Sequence, residues 1–142
     1  MPEFLPDRGE AGTHNIAGIA GLLEGIRYVR RSGSQIADHE QHLLHQLAQG
    51  LRELVRVQVF AAENTGEQSG VLSFRVPEMD CETLGERLGD AGVAVRAGLH
   101  CAPLAHQTAG TLESGTVRVS FSAFNTRREV QQFLQILHRI LE

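Results

Sequence analysis

Arginine, histidine and cysteine fall together in one short stretch, Arg96-Ala97-Gly98-Leu99-His100-Cys101-Ala102-Pro103. The thiol follows an apolar run, Val93-Ala94-Val95, and sits in loose glycine-containing backbone. Neighbouring positive charge and accessibility lower a cysteine pKa below its free value of about 8.5, and the thiolate is the nucleophile. Cys101 is therefore the candidate reactive group. Arg96 is placed to hold it partly as thiolate and His100 to move protons, although a surface loop pair explains both residues equally well. Most free cysteines are buried small hydrophobes. Against that, the residues after Cys101 carry Pro103, Gly110 and Gly115, the composition of a loop where functional groups concentrate. Cys81 lies on an apolar helical stripe and reads as core.

At 142 residues the chain is one domain or one lobe of a larger one. Its 42% apolar and 21% charged residues are those of a globular protein. A net charge of -4 argues against a partner held through nucleic-acid phosphates. No apolar run approaches the length of a membrane span. Two cysteines without a signal peptide point to a reducing compartment, the cytoplasm, and not to a disulfide framework. All 13 basic side chains are arginine; the chain contains no lysine.

Several elements must position that thiol. Ile16, Ile19, Leu22, Leu23, Ile26 and Val29 recur at helical spacing and predict a helix over about 15–31. Gly18, Gly21 and Gly25 along it read as close approach to another element. Ser32-Gly33-Ser34 predicts a break, followed by a second helix over about 35–54. Val55, Val57 and Val59 alternate as a strand, and Val71 to Val76 forms a second strand that makes a hairpin with it. Asp80 is an N-cap for a short helix that Gly92 closes. Val93 to Arg96 is a third strand, 102–115 a long loop, and Thr116 to Ser122 a fourth strand. Thr126-Arg127-Arg128-Glu129 is a capping box opening the last helix. The expected fold is α+β, a small, mainly antiparallel sheet of three or four strands packed by helices. Residues 1–14 read as an extended connector and 15–142 as the folded lobe. His39, His42 and His45, three apart, drift around their helix, and Cys101 with His106 lacks further ligands, so no metal site is expected.

Four segments in order resemble the pyridoxal-phosphate enzymes of the class V aminotransferase group, of the cysteine desulfurase and selenocysteine lyase type. Glu10-Ala11-Gly12-Thr13-His14-Asn15 with the helix after it resembles that group's Glu-Ala-Gly-Thr-x-Asn stretch. Ser69-Gly70-Val71-Leu72-Ser73-Phe74 is similar to the strand ahead of the cysteine. The Arg96 to Pro103 stretch looks like the active-cysteine segment itself. Gly115-Thr116-Val117-Arg118-Val119-Ser120-Phe121-Ser122-Ala123-Phe124-Asn125-Thr126 is similar to the closing strand and turn. Leu99 departs from the pattern, since members often carry a second histidine there.

The resemblance implies the C-terminal small lobe of a fold-type I enzyme. It makes Cys101 the thiol that takes the substrate sulfur as a persulfide, with His100 beside it, and Arg118 the grip on the substrate carboxylate, with Arg96 nearby. It assigns Thr13, with Gly12 before it, to the cofactor phosphate of a neighbouring subunit. Pyridoxal phosphate is held through a lysine. The resemblance therefore places that lysine upstream of Met1, leaves no cofactor expected on this chain alone, and makes the chain catalytically silent by itself. Cysteine as substrate, a sulfur-acceptor protein and a homodimer are the implied partners. Two other readings stay open: another class V activity in which Cys101 is incidental, and a non-catalytic interaction or persulfide-carrier module.

Overall fold

The computed structural model describes residues 3–9, 12–62 and 64–142. Met1 and Pro2 of the connector, and Glu10 and Ala11 of the Glu-Ala-Gly-Thr stretch, lie outside the described residues. The chain divides into two units, Met1–Gly33 and Ser34–Glu142. In the first, a short 3-10 turn at Asp7–Gly9 precedes the start of a long helix, α1, which runs Ile16–Glu53. The expected break at Ser32-Gly33-Ser34 does not occur. Glycine costs a helix only about 1 kcal/mol and serine less, too little to interrupt an established hydrogen-bond ladder. Along the first part of α1, Ile16, Ile19, Leu22 and Ile26 are exposed. A Cβ at Gly21 or Gly25 would meet nothing within 4 Å, so these glycines admit no neighbour among the described residues.

The second unit holds the sheet. Strands β1 (Gln58–Phe60), β2 (Val71–Arg75), β3 (Arg96–Gly98) and β4 (Thr116–Ser120) lie in the order β1-β2-β4-β3, every neighbour antiparallel. The predicted hairpin is β1 with β2, through Val59 opposite Phe74. Helices α2 (Cys81–Asp90) and α4 (Arg127–Leu141) start where their caps were read. The Asp80 carboxylate accepts from the Thr83 N–H at 2.9 Å, and Thr126 with Glu129 forms the reciprocal capping box. Glu129 and Asp80 each have a carboxyl held below its ordinary value, chiefly by a backbone N–H, from Thr126 and Thr83 respectively.

Leu43, Leu44, Leu47 and Leu51 of α1, Leu84 and Leu88 of α2 and Phe133 and Leu137 of α4 close over Leu72, Phe74 and Val117. Phe74 and Phe133 meet edge to face with ring centroids 6.0 Å apart. Each such buried side chain contributes about 1.5–3 kcal/mol. Since Leu72, Phe74 and Val117 face this core, strand alternation turns Ser73, Arg75, Thr116 and Arg118 to the other face.

Three further expectations change. The first strand is confined to Gln58–Phe60, because Val55 and Arg56 turn the chain after α1, with the Val57 N–H donating to the Leu54 carbonyl at 3.0 Å. The third strand is Arg96–Gly98, not 93–96, because Val93 N–H donates to the Leu88 carbonyl and Gly92 N–H to the Gly89 carbonyl, finishing α2 first. The loop over 102–115 contains a helix, α3, Pro103–Ala109, with proline in its first turn and Gly110 in the left-handed conformation at its end.

Candidate active site

Arg96 of β3 stands directly opposite Arg118 of β4, and Gly98 opposite Thr116. The chain leaves the sheet after Gly98 and turns sharply. His100 and Cys101 both adopt positive φ, 51° and 58°. Left-handed backbone costs a non-glycine residue roughly 1–2 kcal/mol, so this turn needs holding, and the Ala102 N–H closes it on the Leu99 carbonyl at 2.9 Å. A second hold is the bond of 3.1 Å between His100 Nε2 and the hydroxyl of the buried Thr116. Cys101, next in the chain, is exposed, whereas Cys81 is buried. A glycine must follow underneath: Gly115 has φ of 60°, and a Cβ there would lie 2.7 Å from Cys81 Sγ and 3.1 Å from Gly98 Cα. Gly85 of α2 likewise comes close under Ala97.

The electrostatics of the cluster are one-sided. The His100 imidazole is held below its ordinary value of 6.5 by burial first, then by the charges of Arg118, His106 and Arg96, against a bond to the Thr116 backbone. Two guanidiniums facing each other across a strand pair repel. Arg118 Nε is buried without a hydrogen-bond partner. Such an orphaned donor costs roughly 1–3 kcal/mol and fits an anionic oxygen. Arg75, on the same face, is already taken by Gln58 at 2.7 Å and Ser114 at 3.0 Å.

Four of the predicted residues, Cys101, His100, Arg96 and Arg118, thus gather where β3 and β4 meet the cysteine turn. Thr13 and Gly12 are exposed members of the first unit, Gly12 with φ of 91°. The buried His106, on α3, is in the sequence only an incomplete zinc ligand; its ring centroid lies 5.7 Å from that of His100. On α1, His39 Nε2 bonds the Asn125 carbonyl at 2.8 Å and His42 Nδ1 the Asp38 carbonyl at 2.6 Å. A groove of about 680 Å³ lies elsewhere, between α4 and residues 91–94, and none of the predicted site residues lines it.

The sequence matches the aminotransferase class-V family over residues 3–133. The chain belongs to that family. Within it, the chain is 41% identical over 138 residues to a probable cysteine desulfurase of Mycobacterium leprae, covering 96% of this chain and 22% of that protein. It is 35% identical to a probable cysteine desulfurase of Pyrococcus abyssi, covering 34% of that one. Among solved structures it superposes on the apo cysteine desulfurase of Thermococcus onnurineus with a TM-score of 0.82 and 38% identity, over 95% of this chain and 33% of the other. The chain thus spans about a third or less of the length of the family members it matches. The antiparallel sheet with its helices is the fold of that part of these class-V enzymes.

The family implies pyridoxal phosphate in the whole enzyme. The residues of this chain do not make a complete site for it, because no lysine is present to anchor it. What they fit is an anion, through the orphaned Nε of Arg118.

Proposed function

We propose that this chain is the C-terminal small lobe of a cysteine desulfurase, residues 15–142 forming the lobe and 1–14 its connector. The observation that carries the reading is an exposed cysteine on a strained turn, next to a neutral-leaning histidine and an arginine whose inner nitrogen lacks a partner. Arg118 takes the substrate carboxylate, with Arg96 beside it. An anion between those two guanidiniums turns their repulsion into attraction. Cys101 attacks the substrate sulfur as thiolate, an S–S bond forms and the substrate C–S bond breaks. The carbon that loses sulfur gains a proton and leaves as alanine, and Cys101 remains as persulfide. His100, poised below its ordinary protonation range, accepts the thiol proton.

The relatives named as cysteine desulfurases support cysteine as substrate. A sulfur-acceptor protein and a second subunit, reached by Gly12 and Thr13 at its cofactor phosphate, complete the proposed partners. Among the described residues no helix is long and apolar enough to cross a membrane; with two free thiols, a cytoplasmic setting is proposed. In an enzyme that joins this lobe to a lysine-bearing domain, Cys101→Ala removes alanine formation from cysteine. Alanine formation surviving in that variant points instead to another class V activity in which Cys101 is incidental. On this chain alone, a small-molecule persulfide donor adds the mass of one sulfur at Cys101, and no alanine forms from cysteine.

A further inference from the structure

His106 lies one turn inside α3, 7% exposed, and its ring is tilted at 44° to that of His100. Its Nδ1 is 2.8 Å from the hydroxyl of Thr111, which is 2% exposed. The same hydroxyl donates to the His106 carbonyl at 3.4 Å, and the Thr111 N–H donates to that carbonyl at 2.8 Å. A hydroxyl carries one proton. The ring contact is the shorter of the two that the hydroxyl makes, so Thr111 engages Nδ1 of His106 and fixes the plane of its ring. On the far side of the ring pair, His100 Nε2 meets the Thr116 hydroxyl at 3.1 Å. The ionisable groups around His100 are Arg96 from β3, Arg118 from β4, His106 from α3 and Cys101 next in the chain.

We propose that His106 is a positioning residue for His100: Thr111 pins the His106 ring, and that ring holds the His100 imidazole against Thr116 in one tautomer beside Cys101. Its catalytic meaning rests on the desulfurase reading, but the geometry does not. With Nε2 engaged by Thr116, Nδ1 is the His100 nitrogen left to exchange a proton. The Ala102 N–H closes this turn on the Leu99 carbonyl at 2.9 Å, but that one bond leaves the His100 ring free to rotate, and the ring is what the His106 contact and the Thr116 hydroxyl fix.

The test is imidazole nitrogen NMR on the full 142-residue chain, with no cofactor required. In the wild type, His106 and His100 each give a single tautomer. Thr111→Val and His106→Phe mix the His100 tautomers and move its titration midpoint up towards 6.5, while Thr111→Ser keeps the wild-type spectrum. Folded T111V and H106F chains with an unchanged His100 spectrum overturn the proposal. If those variants fail to fold, the wild type decides: tautomer exchange at His100 overturns it, and a single locked His100 tautomer supports it. Sulfur loading of Cys101 is read separately by mass. Its loss with the His100 spectrum intact sinks the desulfurase reading and leaves the positioning role standing.

Discussion

Two thiols in one small chain meet opposite environments, and their reactivities should separate accordingly. Cys81 is 6% exposed, and burial pushes its thiol above the ordinary value of 9.0; Cys101 is exposed. Brief iodoacetamide treatment of the native chain at pH 7.5 should label Cys101 alone, and labelling in urea should reach both. Native modification of Cys81, seen by peptide mass, would contradict the burial argument. His100 makes a second residue-level prediction. Its folded pKa is depressed, so below about 6.5 the unfolded chain binds a proton more readily than the folded one. Stability therefore declines as pH drops from 6.5 through the folded value, and His100→Asn flattens that decline. Urea midpoints between pH 8 and 5 measure it. The carboxyls of Asp80 and Glu129 act in a lower window. Their contribution is present above their ordinary values of 3.8 and 4.5 and is lost as pH falls through the depressed ones.

Elements whose signals are local were legible in the sequence. Asp80 and Thr126 cap through atoms three residues away, so α2 and α4 begin where the residues say they should. Replacing Thr126 by Ala should cost about 1 kcal/mol in urea unfolding; an unchanged midpoint would mean that the capping box adds nothing. Elements settled by competition were not legible. The alternation of Val93 and Val95 suggests a strand, but the carbonyls left over at the end of α2 claim the N–H groups of Gly92 and Val93 first. The glycines and proline of 102–115 suggest a loop, although Pro103 at a helix start and Gly110 at a helix end are a helix's own punctuation. That misreading hid His106 from the candidate site. Gly115 is a tertiary requirement invisible in one sequence, since its need is set by Cys81 and Gly98 across the fold. Gly115→Ala should destabilise by about 1–3 kcal/mol. It should also loosen the cysteine turn, read as faster amide exchange at His100 and Cys101. Wild-type stability in G115A would show that the approach is slack.

At the scale of the whole molecule, the apolar surface is not closed. Ile16, Ile19, Leu23 and Ile26 recur at alternating spacings of three and four, the pattern of a seam that seats against another helix. Leu22 and Val29 flank it, 65% and 58% exposed. Contiguous apolar surface of this kind seldom stays bare in water, and the chain spans 22% of the Mycobacterium leprae relative and 34% of the Pyrococcus abyssi one. The core of the second unit, by contrast, is complete in itself, with Leu43, Leu44, Leu51 and Phe74 fully buried. Carboxylates introduced in the seam should therefore change association and leave folding alone. A Leu22→Glu, Ile26→Glu chain should bind less apolar dye and sediment as a smaller species at high concentration than the wild type. Its cooperative urea transition should keep its midpoint within about 0.5 kcal/mol, the usual range for surface changes. Equal dye binding and equal sedimentation in the two chains would show that the stripe is inert, and a lost transition would show that it belongs to the core.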